Sequence, residues 1–487
     1  MKRGGHVGRI VRIASCLALL AVAFAATPAA AAQAIDNYGM AQVWARLDRP
    51  VAEGRVNRAW VWGPEPISPL LLEPYAGARA GGAVDRRWVQ YFDKGRLEGA
   101  DGANGEPGPV TSGRLAAELI TGRIQLGAQE TQDVGPAAIP IIGDAADPGA
   151  PTYATFTPLL RYEPIPTGWH VIQVVDRAGR VTSDPALAEY GVTAAVLVPE
   201  TNHTVASVFW DYLHSSGPVW AGWEFRDERL FSDPFAVTGY PISEAYWAWV
   251  QVDGQRRPVL LQAFERRILT YTPANPAGWQ VESANVGRHY YTWRYLDERG
   301  EPAVRIDSVS YRRDATGKWV FIGAVRNLSR GAYGDVAVTV NLYDEDGEVI
   351  ASQTDPLDLA PLGPGETLPF RVWLDSGDPF ARAEVLATGQ PGERRAHPAL
   401  VVERESAVGL GGDRFSVRAE VRNAGETRVR YTAYVVALYD RHDRVVGYTW
   451  GLADPPSLEP GARATITTSI YQPPPTATRY LLFVTGQ

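Results

Sequence analysis

Carboxylates, histidines and paired tryptophans are the residues here whose types and spacing could do chemistry. With 55 Asp and Glu in the chain, two carboxyl groups could meet across a cleft, the arrangement that glycoside hydrolysis uses. Asp211, Glu224, Glu244 and Glu265 lie in aromatic-rich segments and are the first candidates for such a pair. Past the N-terminal segment the histidines are His170, His203, His214, His289, His397 and His442. Only His203 and His214 fall on one expected element, and their separation along a helix, roughly 16 Å, is too large for one metal. The chain has no G-x-S-x-G elbow, no H-E-x-x-H and no phosphate-binding G-x-x-x-x-G-K-[ST]. Its single cysteine, Cys16, leaves no disulfide, thiolate zinc site or redox pair. The sequence therefore assigns no catalytic residue, no metal and no cofactor.

The aromatic residues say more. Twelve of the 15 tryptophans precede residue 300. Trp60 with Trp62, and Trp247 with Trp249, alternate as residues on one face of a strand, and Tyr291, Trp293 and Tyr295 alternate likewise. Alternate strand residues stand roughly 6.6–6.8 Å apart. Exposed, they make a flat apolar strip suited to stacking on sugar rings. Enclosed, they fill a two-layer core, which small strand-rich units need. Trp60, Trp62, Trp247, Trp249, Tyr291 and Trp293 are thus the candidate ligand-binding residues.

These side chains must be held by strands. Gly 48 and Pro 37 together exceed the usual share and point to many turns and short strands. The clearest internal signal is a duplication: Val325-Arg326-Asn327, Leu342-Tyr343-Asp344 and Leu362 with Pro364-Gly365 recur as Val421-Arg422-Asn423, Leu438-Tyr439-Asp440 and Leu458 with Pro460-Gly461. Thr388-Gly389-Gln390 recurs as Thr485-Gly486-Gln487. Val336, Val338, Val340 and Leu342 alternate as a half-buried strand, and Tyr434, Val436 and Leu438 repeat it. Asp344-Glu345-Asp346-Gly347 reads as a hairpin turn rather than a calcium loop, because His442 and Asp443 replace Asp346 and Gly347 in the second copy. Each copy, 303–390 and 398–487, resembles an FxLYD domain, a small immunoglobulin-like β-sandwich of exported bacterial proteins, with Val340 and Val436 where that family has Phe. The resemblance implies a noncatalytic module.

A second, looser duplication precedes it. Trp62-Gly63-Pro64-Glu65-Pro66-Ile67, then Gln90-Tyr91-Phe92-Asp93-Lys94, is answered by Thr238-Gly239-Tyr240-Pro241-Ile242-Ser243-Glu244, then Gln262-Ala263-Phe264-Glu265-Arg266. The units end near Gly122-Arg123 and Gly287-Arg288. In the first, Trp88–Phe92 and Arg96-Leu97-Glu98 read as hairpin arms about Asp93-Lys94-Gly95. The pattern is distantly similar to LGFP repeats, and 203–295 resembles an uncharacterised family of exported bacterial proteins. Thr204–His214 carries an apolar stripe that predicts a helix capped by Asn202 or Thr204. Segments 99–109 and 143–151 read as loops, and 296–302 and 390–398 as linkers. Asn202-His203-Thr204 and Asn327-Leu328-Ser329 match glycosylation sequons.

Residues 1–34 have the charged, apolar and small-residue order of a secretory signal peptide, with a retained anchor as the alternative. The chain carries 47 Lys and Arg against 55 Asp and Glu, a net −8, so its surface repels nucleic acid on average. All but three of those basic residues (Lys2, Lys94 and Lys318) are Arg. The expected architecture is mainly β: a Trp-rich N-terminal β domain over 35–299, divisible at 150/151, with one or two short helices, then two tandem Ig-like sandwiches. The expected role is a noncatalytic secreted or cell-surface protein that binds a polysaccharide, envelope polymer or surface protein, with no nucleic acid and no membrane span after leader cleavage. The alternatives are a secreted carboxylate-dependent glycan hydrolase and a purely structural envelope component.

Overall fold

The computed structural model describes residues 35, 37–76, 86–101, 107–144, 146–296, 300–359, 361–392 and 399–486. The leader expected over 1–34 lies outside the described residues, as do parts of both expected linkers. Residues 33–487 form one compact unit. The protein is mainly β, with few short helices. No described helix is long and apolar enough to cross a membrane.

The helices are α1 (Tyr38–Ala52), α2 (Leu115–Thr121), α3 (Tyr153–Phe156), α4 (Ser207–Leu213) and α5 (Val286–Tyr295). Strands β1 (Leu71–Pro74), β2 (Arg86–Phe92), β3 (Gly95–Asp101) and β4 (Pro107–Ser112) form an antiparallel meander. Short strands follow: β5 (Arg123–Gln125), β6 (Thr131–Asp133), β7 (Gln173–Val175), β8 (Val181–Ser183), β9 (Ala194–Val198), β10 (His203–Ala206), β11 (Ser216–Trp220) and β12 (Phe225–Arg229). A second meander, β13 (Pro241–Val252), β14 (Gln255–Phe264), β15 (Ile268–Tyr271) and β16 (Val281–Ser283), is widened by β7 and β8 to the order β16-β15-β14-β13-β7-β8.

The two meanders answer each other residue by residue. Ser68 Oγ accepts Tyr91 N at 3.1 Å, and Ser243 Oγ accepts Ala263 N at 3.1 Å. Gln90 and Gln262 are both fully buried, donating to Ser68 O at 3.3 Å and Ser243 O at 3.0 Å. The helices are exchanged between the halves. Gly287 N and Arg288 N of α5 donate to Asp93 O in the β2–β3 turn, while Ala117 N of α2 donates to Glu265 O in the β14–β15 turn. The partner of Gly287-Arg288 in this arrangement is therefore Ala116-Ala117, not Gly122-Arg123.

Both faces of β13 are covered. Tyr246, Ala248 and Val250 join one core with Leu119, Tyr153 and Val286, whereas Ala245 and Trp247 join another with Val205 and Phe209. The expected helix over Thr204–His214 begins later. Residues 203–206 form β10, Ala206 is the N-cap of α4, and the Thr204 hydroxyl goes to Glu244 instead of capping. Tyr291, Trp293 and Tyr295 lie on helix α5 and not on a strand. Val286, Tyr290 and Trp293 recur there with helical period and are buried.

Each C-terminal copy builds two three-stranded sheets. In the first these are 304–313 with 319–327 and 367–373, and 349–356 with 333–343 and 382–391; the second repeats that order. The repeated motif residues have mechanical roles. Asn327 and Asn423 are fully buried, and their amides tie Leu362 O and Leu458 O at 3.1 and 3.0 Å. This burial leaves the Asn327 sequon amide no free surface. Leu342 and Leu438 fill the cores, and Asp344 and Asp440 each accept two turn amides. Val435, Ala437 and Tyr448 of the second sandwich belong to the core of the first, where Tyr448 OH donates to Asp358 at 2.6 Å. Arg330 of the first sandwich donates to Trp293 O at 2.9 Å and Tyr333 OH donates to Tyr295 O, so the end of α5 is built into the joint.

Candidate functional site

The β2–β3 turn and the start of α5 meet so closely that a Cβ on Gly287 would overlap Phe92 O. Only glycine allows this approach, and it brings Lys94 of the turn beside His289 of the helix. An Arg288–Asp93 ion pair at 2.7 Å fastens the contact. The opposite wall comes from the 139–143 segment. Asp144 accepts Asp253 N and Gly254 N at 3.0 and 2.9 Å, and Asp147 accepts Gln251 N at 2.8 Å, clamping this segment to the β13–β14 hairpin. Gly143, at φ +84°, lies against Gln251 O.

Between these walls is a cavity of about 360 Å³ lined by Lys94, Thr272, Asn275, Glu282, Asn285 and His289 over an apolar floor that includes Ile142 and Val259. Such a volume lies at the small end of ligand sites. Its polar groups are engaged only in part: Asn275 donates to Trp279 O at 3.1 Å. Among the described residues no hydrogen bond or ion pair reaches the Lys94 amine, and the Asn285 side chain makes no cap bond. Glu282 accepts a long 3.5 Å bond from Asn275.

His289 Nδ1 lies 2.9 Å from the hydroxyl of fully buried Tyr153. Among the described residues that hydroxyl has no other partner, so it donates its proton rather than leave it unsatisfied. Nδ1 then accepts, and Nε2–H is left as a donor. Burial, reinforced by the Lys94 and Arg288 charges, pushes His289 down to about 4, so the ring is neutral near pH 7. Burial also pulls the Lys94 amine below its ordinary value, against the attraction of Glu282. A half-buried amine of this kind, facing a cavity, is a functional-site signal.

The aromatic candidates are dispersed. Trp62 and Trp247 are fully enclosed: Arg267 covers Trp62 with its guanidinium 4.3 Å from the ring centre, and Trp247 donates to Val171 O at 2.7 Å. Trp293 is buried, Trp60 is half-buried, and Tyr291 packs edge-on against Tyr91 at 5.3 Å. Trp249 alone among them is exposed, at 36%, with the Arg256 guanidinium 5.4 Å from its ring centre. It pairs across the hairpin with Pro258, which lines a second depression with Tyr190, Arg257 and Thr272; Thr272 also lines the first cavity. The sequence pattern did not single out Lys94, Glu282 or His289. The available signal was Lys94 itself, a lysine in a chain that otherwise uses arginine almost throughout.

The carboxylate candidates are engaged separately. Glu244 is buried and accepts Ile165 N at 3.0 Å, Thr204 N at 2.9 Å and His203 Nδ1 at 3.1 Å. Glu265 pairs with Arg114 at 2.9 Å, Glu224 pairs with Arg226, and Asp211 is exposed on α4. A separate charged cluster is sealed inside the first half. Fully buried Glu73 accepts Tyr91 OH at 2.6 Å, Tyr295 OH at 2.7 Å, Arg294 at 3.0 Å and Arg96 at 3.2 Å. Burial alone would raise its pKa, but Arg294, Arg96 and Arg87 hold it well below the carboxylate range. Glu118, in the same cluster, is raised by burial. The cluster joins β1, β2, β3, α2 and α5 and serves the fold.

No family model matches the chain, and no curated protein matches it. Among solved structures it is similar to red sea bream transglutaminase, with 12% identity, 50% of this chain and 39% of that chain covered, and a TM-score of 0.14. It is also similar to the exo-chitosanase of Amycolatopsis orientalis, with 13% identity, 42% and 27% covered, and a TM-score of 0.13. The match thus spans well under half the length of either protein, and such scores transfer neither site nor activity.

Proposed function

We propose that this is a noncatalytic exported or cell-surface protein whose N-terminal β region binds a polysaccharide, with the two sandwiches as accessory modules. The cavity onto which Lys94, Glu282, Asn285 and His289 face carries this reading, and the exposed Trp249 adds a separate surface on the other face of the β13–β14 hairpin. A pocket where a few polar groups and a perturbed titratable residue converge is the default binding-site hypothesis, and an exposed indole suits a sugar face. The leader-like order of residues 1–34 and the absence of cysteine beyond Cys16 support export. The FxLYD-like pattern supports an accessory role for the sandwiches. Among the described residues lining the cavity, Glu282 is the one carboxylate, whereas the hydrolase alternative needs two.

The test is co-sedimentation of the full chain with isolated bacterial cell wall and with insoluble polysaccharides. Retention by wild type, reduced several-fold in Trp249→Ala, is the expected result. No retention on any of these polymers overturns the proposal.

A further inference from the structure

Resting on the polysaccharide reading just given, the charge pattern of the cavity specifies what kind of sugar it takes. Lys94 and Glu282 attract each other, yet no ion pair joins them. Each therefore faces the cavity with unused hydrogen-bonding capacity. With His289 neutral, their charges cancel. A carboxylate or phosphate on the ligand would gain Lys94 and be repelled by Glu282. A ligand amine would meet the reverse. A hydroxyl suits both, because it accepts from the amine through its oxygen and donates its proton to the carboxylate. Two hydroxyls on adjacent ring carbons engage both side chains without leaving a charge unpaired. The His289 Nε2–H and the Asn285 amide, both unengaged among the described residues, supply further donors and acceptors around the same space. Ile142 and Val259 give an apolar surface for the C–H face of a ring.

We infer that this cavity is a subsite for one uncharged, hydroxyl-bearing sugar ring, with Lys94 and Glu282 each bonding one of two neighbouring hydroxyls. Trp249 lies outside the cavity and meets a different part of the polymer. The subsite is thus separable from the stacking surface.

The experiment is ligand-observed saturation-transfer NMR on the full chain. The neutral probes are the methyl glycosides of glucose, mannose and galactose, together with N-acetylglucosamine; glucuronate and glucosamine are the charged counterparts. Lys94→Met and the isosteric Glu282→Gln are compared with wild type, and their thermal unfolding shows that they fold. At least one neutral probe is expected to bind, more tightly than either charged sugar, with each substitution weakening it tenfold or more, as loss of a hydrogen bond to a charged group does. Glucuronate or glucosamine binding best, or neutral binding untouched by both folded variants, overturns the inference. Wild-type retention on a polymer with no neutral probe bound also overturns it and leaves the polysaccharide reading standing. Failure of polymer retention overturns that broader reading separately.

Discussion

The two halves of the N-terminal region share one plan and differ where their hairpin turns receive the exchanged helix. In one, the Glu265-Arg266 turn receives α2. Arg114 pairs with Glu265, Arg266 donates to Ala236 O, and Glu118 takes Tyr290 OH and Gln125 N. In the other, the Asp93-Lys94 turn receives α5. Among the described residues Asp93 pairs with Arg288, while Lys94 and His289 line a cavity. Equivalent scaffolding thus supports an ion-paired helix contact on both sides, and the second also leaves an amine and an imidazole facing a cavity. The repeated frame is shared, and a few side-chain choices decide which copy keeps a cavity.

The contrast can be broken most severely at the buried cluster. Glu73→Gln leaves Arg294 and Arg96 buried against a neutral amide and is expected to cost about 3–5 kcal/mol in urea unfolding. A cost below about 1 kcal/mol would mean that water reaches the cluster.

Next comes the titration of His289. Burial holds its folded pKa at about 4, below the ordinary 6.5, so between these values the unfolded chain binds more protons. Its contribution to stability is complete above pH 6.5 and is lost as pH falls toward 4, at most about 3 kcal/mol. His289→Gln should flatten the wild-type stability profile over that window, and an unchanged profile would remove the neutral-donor assignment.

Gly287→Ala probes the close approach of α5 to the β2–β3 turn. Overlap with Phe92 O predicts a loss of about 1–3 kcal/mol. Ala116, at the matching place on α2, is accommodated with its Cβ, so Ala116→Gly should cost only about 1 kcal/mol through helix propensity. Equal effects at both positions would argue against a specific close approach.

The smallest expected effects concern the ion pairs that fasten each helix. Double-mutant cycles on Arg288–Asp93 and Arg114–Glu265 should each give about 0.2–1 kcal/mol, because one partner of each pair is solvent-exposed. A clearly larger coupling for the first pair would show that it holds the cavity wall and not only the helix.

Much of the fold is legible in local pattern. The Asp93-Lys94-Gly95 hairpin, the alternation through Val336–Leu342 and the Asp344 turn depend on neighbours in sequence, and the structure has all three. Helical and strand periods are harder to separate over short aromatic runs. Tyr291-Thr292-Trp293-Arg294-Tyr295 alternates like a strand, yet its wider spacing from Val286 is helical. The tryptophan strip fails as a continuous surface for a related reason. Alternation places Trp247 and Trp249 on one face, but whether that face is covered depends on β9, β10 and α4, which pack over Trp247 and leave Trp249 open.

The sequence by itself determined a mainly β chain, the duplicated motifs and the unusual presence of a lysine at position 94. Tertiary structure alone decided that the helices exchange between halves, and hence that Lys94 and His289, 195 residues apart, share one wall of a cavity. Hydrogen-bond periodicity is local and leaves a trace in residue order. The meeting of a turn with a distant helix is fixed by packing, through Gly287 against Phe92, and a single glycine does not announce its partner.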